Sequence, residues 1–263
     1  MLHMIEKWVD LFYAHRPQPQ PTLKQINQAQ IVAHRGAHDD SLSIQENTHP
    51  AFERAITLGC AGIEFDVHAT ADGVIVVNHD PTLRRLWGHD VAIEALEFDA
   101  LRRLIPTIPT LEEMVNLYGK RVHLFIELKS PFTATKQLAD TLSSLKAGED
   151  YHLLCLEAEL FPLLTNFPKS SLLLVPVHHN VSAFCNISVN QSYGGVLGHY
   201  LLLRNKHIQQ LQAANQTIGV GFVDSKNSLY RELNRDLPYL FTNNAKTVMQ
   251  CLKELSLAPP ECR

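Results

Sequence analysis

Long apolar runs, paired cysteines and an excess of positive charge are all missing from this chain. There is no run of the roughly 18 apolar residues that a membrane-spanning helix needs, so we expect none. The formal net charge of −4 gives no electrostatic footprint for nucleic acid. The five cysteines are an odd number without a C-x-x-C pair, and we interpret them as free thiols. We therefore expect a cytoplasmic protein that does not bind nucleic acid.

Nucleotide-binding fingerprints are missing as well, because neither G-x-G-x-x-G nor a P-loop follows any predicted strand. The composition is that of an ordinary globular protein, with 45% hydrophobic and 19% charged residues in 263 positions. This composition provides enough apolar side chains for a full core. Since a single α/β barrel takes about 250 residues, the length does not require two domains.

The first 30 residues differ in pattern from the rest of the chain. Apolar residues recur at helical spacing over residues 2–15, which predicts an amphipathic helix. The Pro/Gln stretch 17–21 ends this helix as an extended linker. Few basic residues lie on its polar face, so we favour packing on the main domain over contact with a membrane surface. The predicted division is a helix and linker over 1–30 and the main domain over 31–263.

From residue 31 onward, strand and helix patterns alternate. The predicted strands are 31–35, 61–68, 121–129, 152–156, 172–177, 195–199, 218–223 and 239–242. Helical patterns such as "HPAFERAITLG" and "NKHIQQLQAAN" lie between most of them. Eight strands alternating with helices predict a (β/α)₈ TIM barrel, and a doubly wound open sheet is the competing architecture.

The stretch "IEFDVHATADGVIVVNHD" (63–80) predicts a small β-hairpin at the C-terminal rim of the barrel. We take Asp72 and Gly73 as its two-residue turn, which places His79 opposite Asp66. One face then carries Glu64, Asp66, His68, Thr70, Ile75, Val77 and His79. Two carboxylates with an imidazole opposite indicate a hard-metal site beside a general acid or base. The alternative is a polar face that is simply solvated.

Two further strand ends carry polar groups. "IVAHRGAHDD" brings His34 to a glycine turn, and "RVHLFIELKS" puts Glu127 and Lys129 on one face. Buried ion pairs are a poor source of stability, so a functional site explains these inward charges better. The carboxyl ends of barrel strands meet at one rim, where we expect His34, Glu64, Asp66 and Glu127 to lie together.

Taken in order, these motifs resemble the glycerophosphodiester phosphodiesterase family. The matching stretches are "AHRG" (33–36), "ENT" (46–48), "IEFDV" (63–67), "VVNHD" (76–80), "IPTLEE" (108–113) and "IELK" (126–129). The resemblance covers residues 31–130. It implies a (β/α)₈ barrel and metal-dependent hydrolysis of a small glycerophosphodiester to glycerol 3-phosphate and an alcohol.

The resemblance also implies roles for individual residues. These are catalysis for His34 and His79, metal binding for Glu64, Asp66 and Glu127, phosphate binding for Arg35 and Lys129, and a supporting position for Glu46. Histidine suits acid–base catalysis because it titrates near neutral pH. Our hypothesis makes His34 the base and His79 the acid. Three carboxylates suit one Mg²⁺ or Ca²⁺ ion. The nucleophile is either water or the substrate's own neighbouring hydroxyl, and the oligomeric state stays open.

The last third of the chain departs from the family pattern. Asn243 and Asn244 stand where the family usually has an aspartate, and Phe222 lies near its usual aromatic position. His178, in "PVHHN", is a further candidate to line the site. Two alternative functions follow. One is a lysophospholipase D-like enzyme acting at a membrane surface, and the other is a catalytically inactive barrel that binds phosphoesters.

Overall fold

The fold is a closed barrel, seen in a computed structural model that describes residues 12–257. Its strands are β1 (Gln30–Ala33), β2 (Gly62–Ala69), β3 (Ile75–Val77), β4 (His123–Leu128), β5 (Tyr151–Cys155), β6 (Leu172–Leu174), β7 (Gly195–His199), β8 (Thr217–Gly221) and β9 (Tyr239–Thr242). All except β3 are parallel, and β1 pairs with both β2 and β9. This closure confirms the predicted (β/α)₈ barrel and excludes the open sheet.

Helices cover the outside of the barrel. In the described residues the α-helices are Leu23–Gln28, His49–Leu58, Arg84–Trp87, Phe98–Leu104, Leu111–Tyr118, Thr135–Leu142, Val181–Gln191, Asn205–Ala213, Lys226–Leu233 and Ala245–Leu257. Residues 12–15 are helical, and the rest of the predicted N-terminal helix lies outside the described residues. Residues 17–22 have no regular structure, as the Pro/Gln linker predicts. None of the helices between residues 12 and 257 has the length and apolarity to cross a membrane.

The start of the helix Leu111–Tyr118 shows how a local motif sets an element boundary. Thr110 Oγ1 accepts a hydrogen bond from the Glu113 N–H at 3.1 Å, and Glu113 Oε2 accepts from the Thr110 N–H at 2.8 Å. This reciprocal capping box satisfies two N–H groups that the first helical turn leaves without partners. The motif "IPTLEE" therefore sets the start of a helix and has no catalytic role of its own.

Apolar side chains fill two layers on either side of the barrel wall. The inner layer closes the barrel interior with Val32, Phe125, Leu154, Leu173, Leu197 and Phe241. The outer layer packs the strands against the helices and includes Phe52, Phe65 and Ile126. Because strand residues alternate between these layers, the residues two positions beyond Val32 and Phe125, His34 and Glu127, fall at the top of the interior. The inner layer thus forms an apolar floor beneath the polar rim.

The hairpin register predicted from the sequence was wrong by one residue. The turn has three residues rather than two, since the Thr70 N–H donates to the Val74 carbonyl at 2.9 Å. Gly73 takes φ = 82°, the left-handed position that ends a three-residue loop. Val77 therefore pairs with Val67, and Asn78 rather than His79 lies opposite Asp66. The valines of β3 are buried in the core. His79 reaches the rim from the loop that follows β3.

Two histidines share a hydrogen bond at the opposite, N-terminal end of the barrel. His123 Nδ1 lies 2.9 Å from the Glu149 carbonyl oxygen, and His123 Nε2 lies 2.7 Å from His152 Nδ1. A carbonyl only accepts, so His123 carries its proton on Nδ1 and accepts from His152. His152 also stacks on Phe125, with ring centroids 5.7 Å apart. Burial, followed by the neighbouring His123, lowers the pKa of His152 to about 3.

This pair predicts a loss of stability in mild acid. The folded pKa of His152 lies below its ordinary value of 6.5. The contribution of this residue to the free energy of unfolding is therefore complete above pH 6.5 and is lost as the pH falls toward 3. Between pH 7 and pH 5 the loss amounts to about 2 kcal/mol. We expect His152→Gln, which keeps a donor toward His123, to show a shallower decline in urea unfolding. The exposed control His89→Gln should follow the wild type, and equal pH slopes for all three proteins would contradict the assignment.

Candidate active site

Three carboxylates meet at the C-terminal ends of β2 and β4. Glu64 and Asp66 lie two positions apart on β2, and Glu127 pairs in register with Asp66. One oxygen of each lies within 4.8 Å of the others, and none of the three residues is more than 9% exposed. Three like charges this close together are unfavourable unless cations compensate them. The cluster therefore needs positive partners.

Two cationic side chains provide most of that compensation. Lys129 Nζ lies 2.7 Å from Asp66 Oδ1 and also contacts Glu127. Arg35 approaches the other oxygen of Asp66 with its Nε at 3.4 Å. The backbone N–H of Arg35 donates to Glu64 Oε2 at 2.9 Å. Two cations facing three carboxylates leave one negative charge unbalanced.

The acidic cluster fits a metal ion. Glu64 Oε1 is buried and accepts no hydrogen bond from any residue between 12 and 257. Burial, together with Asp66 and Glu127, raises the pKa of Glu64 well above its ordinary value. Burial acts in the same direction at Asp66, but Lys129 and Arg35 outweigh it and lower that pKa to about 2. An unpartnered oxygen and an unbalanced charge among oxygen donors are what a hard divalent cation would satisfy.

The turn after β1 aims Arg35 at this cluster. Arg35 has φ = 54° and Gly36 has φ = 77°, so two successive residues adopt the left-handed conformation. A Cβ on Gly36 would lie 2.8 Å from the Cβ of Ala51 and 2.9 Å from Phe52. Only glycine fits such a close approach at a positive φ. The glycine of "AHRG" therefore allows the turn that directs Arg35 toward the carboxylates.

His34 lies between the acidic cluster and the end of β9. Its Nδ1 is 2.7 Å from Asn243 Oδ1, and its Nε2 is 3.7 Å from Glu64 Oε2. Burial is the main cause that lowers the pKa of His34, to about 4, and the positive charge of Arg35 adds to it. The ring is therefore neutral at pH 7, as a proton acceptor must be.

His79 reaches the same rim with a charged partner. Its Nδ1 lies 2.7 Å from Asp80 Oδ1, and Arg85 Nε donates to the other Asp80 oxygen at 2.5 Å. Burial lowers the pKa of His79, and the negative charge of Asp66 acts against that shift. A carboxylate on Nδ1 fixes the ring and stabilises its protonated form. His68, on the same hairpin, lies with Nε2 3.1 Å from the His79 carbonyl oxygen.

The model of the Glycerophosphoryl diester phosphodiesterase family matches residues 34–251 of the chain. The chain belongs to this family. The match extends well beyond residue 130, where the motif resemblance ends. It therefore includes the divergent last third of the sequence.

Individual relatives match more narrowly. The chain is 34% identical over 134 residues to Glycerophosphodiester phosphodiesterase of Caldanaerobacter subterraneus subsp. tengcongensis, covering 46% of this chain and 53% of that protein. It is 39% identical over 67 residues to Lysophospholipase D GDPD1 of Rattus norvegicus, covering 26% of this chain and 20% of that protein. The chain thus spans about half the length of the first relative and less of the second.

A solved structure resembles the whole barrel. A phosphodiesterase of Oleispira antarctica, determined in complex with the product sn-glycerol-3-phosphate, superposes with a TM-score of 0.71. The identity is 19%, and the match covers 85% of this chain and 96% of that chain. At this identity the likeness shows the shared barrel fold.

Several residues at this site were missed or given no role from the sequence. Asn47 donates from Nδ2 to Asp66 Oδ2 at 2.9 Å, and Arg85 donates to Glu46 Oε1 at 2.7 Å. Arg35 NH1 also reaches Glu46 Oε1, at 3.0 Å. Asn47 lies within "ENT" and Asp80 within "VVNHD", so the motifs contained the signal for both. Nothing in the sequence indicated Arg85, because its link to Glu46 is purely three-dimensional.

The cavity beside these residues has one polar and one apolar side. Its volume is about 310 Å³. The polar side carries His34, Arg35, Glu64, His79, Glu127 and Lys129, whereas the apolar side carries Leu154, Leu156, Val175, Pro176, Val177, Leu197, Leu202, Phe222 and Phe241. His178 and His199 also line it, so the sequence-based suggestion for His178 agrees with its position. The apolar side comes from the part of the chain where the sequence motifs diverge.

Proposed function

We propose that this chain hydrolyses glycerophosphodiesters to glycerol 3-phosphate and an alcohol, with a divalent cation bound by Glu64, Asp66 and Glu127. The observation that carries the proposal is one cavity whose polar side brings His34 and His79 together with two cationic side chains and with Glu64 and Glu127 of the buried acidic cluster. A phosphodiester is anionic, so its cleavage needs charge neutralisation together with a proton acceptor and a proton donor. This cavity contains a candidate for each requirement.

The cations divide the work of holding the phosphate. Arg35 offers a planar guanidinium that suits two phosphate oxygens at once, and Lys129 supplies a compact charge. Both already lie against Asp66, so binding an anion exchanges one set of ion pairs for another. When bound, Mg²⁺ or Ca²⁺ would supply the further positive charge that withdraws electron density from the phosphorus.

The partners of the two histidines support different roles. His34 is held by a neutral amide and has a strongly lowered pKa, which favours the unprotonated ring of a general base. Burial lowers the pKa of His79, but the carboxylate of Asp80 acts against that shift and favours the imidazolium of a general acid. We therefore propose that His34 takes the proton of the attacking oxygen and that His79 gives a proton to the leaving alcohol.

The attacking oxygen belongs either to water or to the neighbouring hydroxyl of the glycerol. Internal attack forms a cyclic glycerol phosphate first, whereas water gives glycerol 3-phosphate directly. Phosphorus NMR under single-turnover conditions separates the two routes. A transient cyclic diester supports internal attack, and its absence supports water.

The apolar side of the cavity favours a second candidate substrate, a lysophospholipid. Leu156 is 37% exposed and Phe222 is 41% exposed, and both line the cavity. Exposed apolar side chains beside a polar reaction centre suit a ligand that carries an acyl chain. The relative from Rattus norvegicus named as a lysophospholipase D matches a short segment of this chain. This candidate uses the same catalytic groups.

Mass spectrometry of the products tests the choice between the two substrates. We expect wild type to release glycerol 3-phosphate from glycerophosphodiesters, and Leu156→Gln to leave that rate within about twofold because surface changes have small effects. If lysophospholipids are cleaved to lysophosphatidic acid, the same substitution should slow that reaction selectively. Equal losses on both substrates would contradict a separate acyl surface. If neither product forms, the proposed function itself is contradicted.

A further inference from the structure

Asn243 and Asp224, from the loops that follow two neighbouring strands, form a line of hydrogen-bonded residues with His34. Since β1 and β9 are adjacent in the barrel, the His34 N–H donates to the Thr242 carbonyl at 2.9 Å. This pairing brings Asn243, which follows β9, beside the imidazole. Asp224 follows β8, the next strand along, and contacts Asn243 in turn. The barrel order thus aligns His34, Asn243 and Asp224.

The hydrogen bonds of Asp224 fix the orientation of Asn243. Asp224 Oδ1 accepts from Thr242 Oγ1 at 2.8 Å and from the Asn243 N–H at 2.7 Å. Asp224 Oδ2 accepts from Asn243 Nδ2 at 3.2 Å. An ionised carboxylate only accepts hydrogen bonds, so the NH₂ end of Asn243 must face it. The oxygen end, Oδ1, is thereby turned toward His34.

This orientation decides which nitrogen of His34 carries the proton. Asn243 Oδ1 lies 2.7 Å from His34 Nδ1 and can only accept, so Nδ1 must be protonated. In the neutral ring, Nε2 then holds the lone pair, and Nε2 is the nitrogen that lies 3.7 Å from Glu64. We propose that Asp224 is a positioning residue that acts through Asn243 to hold the basic lone pair of His34 at Nε2. This inference rests on the proposed role of His34 as the base.

The arrangement explains how this chain works with an amide after β9. A carboxylate at position 243 would accept through either oxygen. An amide has one accepting and one donating end, and these exchange places when the group rotates by half a turn. Without Asp224, Asn243 could present NH₂ to His34 and force the opposite tautomer. The carboxylate at 224 therefore provides the directionality that asparagine lacks.

The substitution Asp224→Asn tests the proposal, because it changes one oxygen to NH₂ at nearly constant size. The introduced NH₂ would meet the NH₂ of Asn243, so Asn243 should rotate and His34 should shift its proton to Nε2. We expect the ¹⁵N signals of the His34 ring to report this exchange. We also expect kcat for the diester to fall by about 10²-fold, the lower range for loss of a general base.

The exchanged double variant Asp224→Asn/Asn243→Asp is the matched rescue. The carboxylate placed at 243 accepts a hydrogen bond from His34 Nδ1. The NH₂ of the amide placed at 224 donates to that carboxylate, and the oxygen of the same amide accepts from the Thr242 hydroxyl and from the backbone N–H of residue 243. We expect the wild-type tautomer to return and most of kcat with it. A loss caused only by disturbed packing would not be rescued by moving the charge.

Controls separate this proposal from folding defects and from failure of the proposed function. Asn244→Ser, which changes the next residue without touching the amide of Asn243, should keep both tautomer and kcat. If Asp224→Asn does not fold, Asn243→Ala removes the same link and should show mixed His34 tautomers. The NMR reading needs no turnover, so it stands even if the chain cleaves no diester. An unchanged His34 tautomer in folded Asp224→Asn or Asn243→Ala would overturn the proposal.

Discussion

Replacing His34 by alanine should lower kcat for glycerophosphodiester hydrolysis by about 10²–10⁴-fold, the range expected for loss of a general base. The ring lies at the top of the barrel interior with Nε2 beside Glu64, and its low pKa keeps it unprotonated at pH 7. The phosphate is held by Arg35 and Lys129 in our proposal, so KM should change much less than kcat. Initial rates of alcohol release at pH 7 measure both constants.

His38→Ala is the matched control for this prediction. His38 lies four residues further along the same loop and does not line the cavity. We expect its kcat to stay within about twofold of wild type, as for most substitutions away from a site. If His34→Ala keeps more than a tenth of the wild-type kcat, His34 is not the base.

Replacing Glu64 by glutamine should remove metal binding while making the metal-free protein more stable. In the absence of metal, Glu64 is buried beside two other carboxylates, and burial is the main cause of its raised pKa. A neutral amide of the same shape removes that repulsion but also one of three ligands. We expect the wild-type melting temperature to rise with Mg²⁺ or Ca²⁺, since an ion at 100 times its Kd adds about 2.7 kcal/mol.

The metal prediction is checked by titration calorimetry and thermal melting. Wild type should bind one ion, Glu64→Gln should bind none detectably, and only wild type should gain stability from the ion. Asp140→Asn, an exposed acid on an outer helix, serves as the control and should behave as wild type. Ion binding that survives Glu64→Gln would show that the cluster is not the metal site.

The barrel and the rim could be predicted because they depend on local patterns. All eight predicted barrel strands occur within a few residues of their expected positions, since alternating and fully apolar runs are set by burial on the barrel wall. Val181–Gln191 is one of several helices that were not named among the helical patterns; its mixture of valine, serine and asparagine has a weak helical preference, so packing decides its state. A local sequence pattern is sufficient to predict a strand or helix where one face is buried, and it is insufficient where the helical propensity of the residues is weak.

The parts of the site that could not be predicted depend on exact register and on distant pairs. Choosing a two-residue turn at Asp72 and Gly73 shifted the hairpin by one position, and such a slip exchanges the two faces of a strand. Asp224 lies 19 residues from Asn243 in sequence, and only the adjacency of β8 and β9 brings them together. Spacing along the chain carries no information about such a contact.

Release of glycerol 3-phosphate from a panel of glycerophosphodiesters by the wild-type chain tests the central proposal most directly. The assay is run in EDTA, and then with excess Mg²⁺ or Ca²⁺. We expect no release in EDTA and rapid release after the ion is restored, because Glu64, Asp66 and Glu127 then hold the cation. Release that is unaffected by EDTA, or no release with either ion, would contradict metal-dependent phosphodiester hydrolysis at this site.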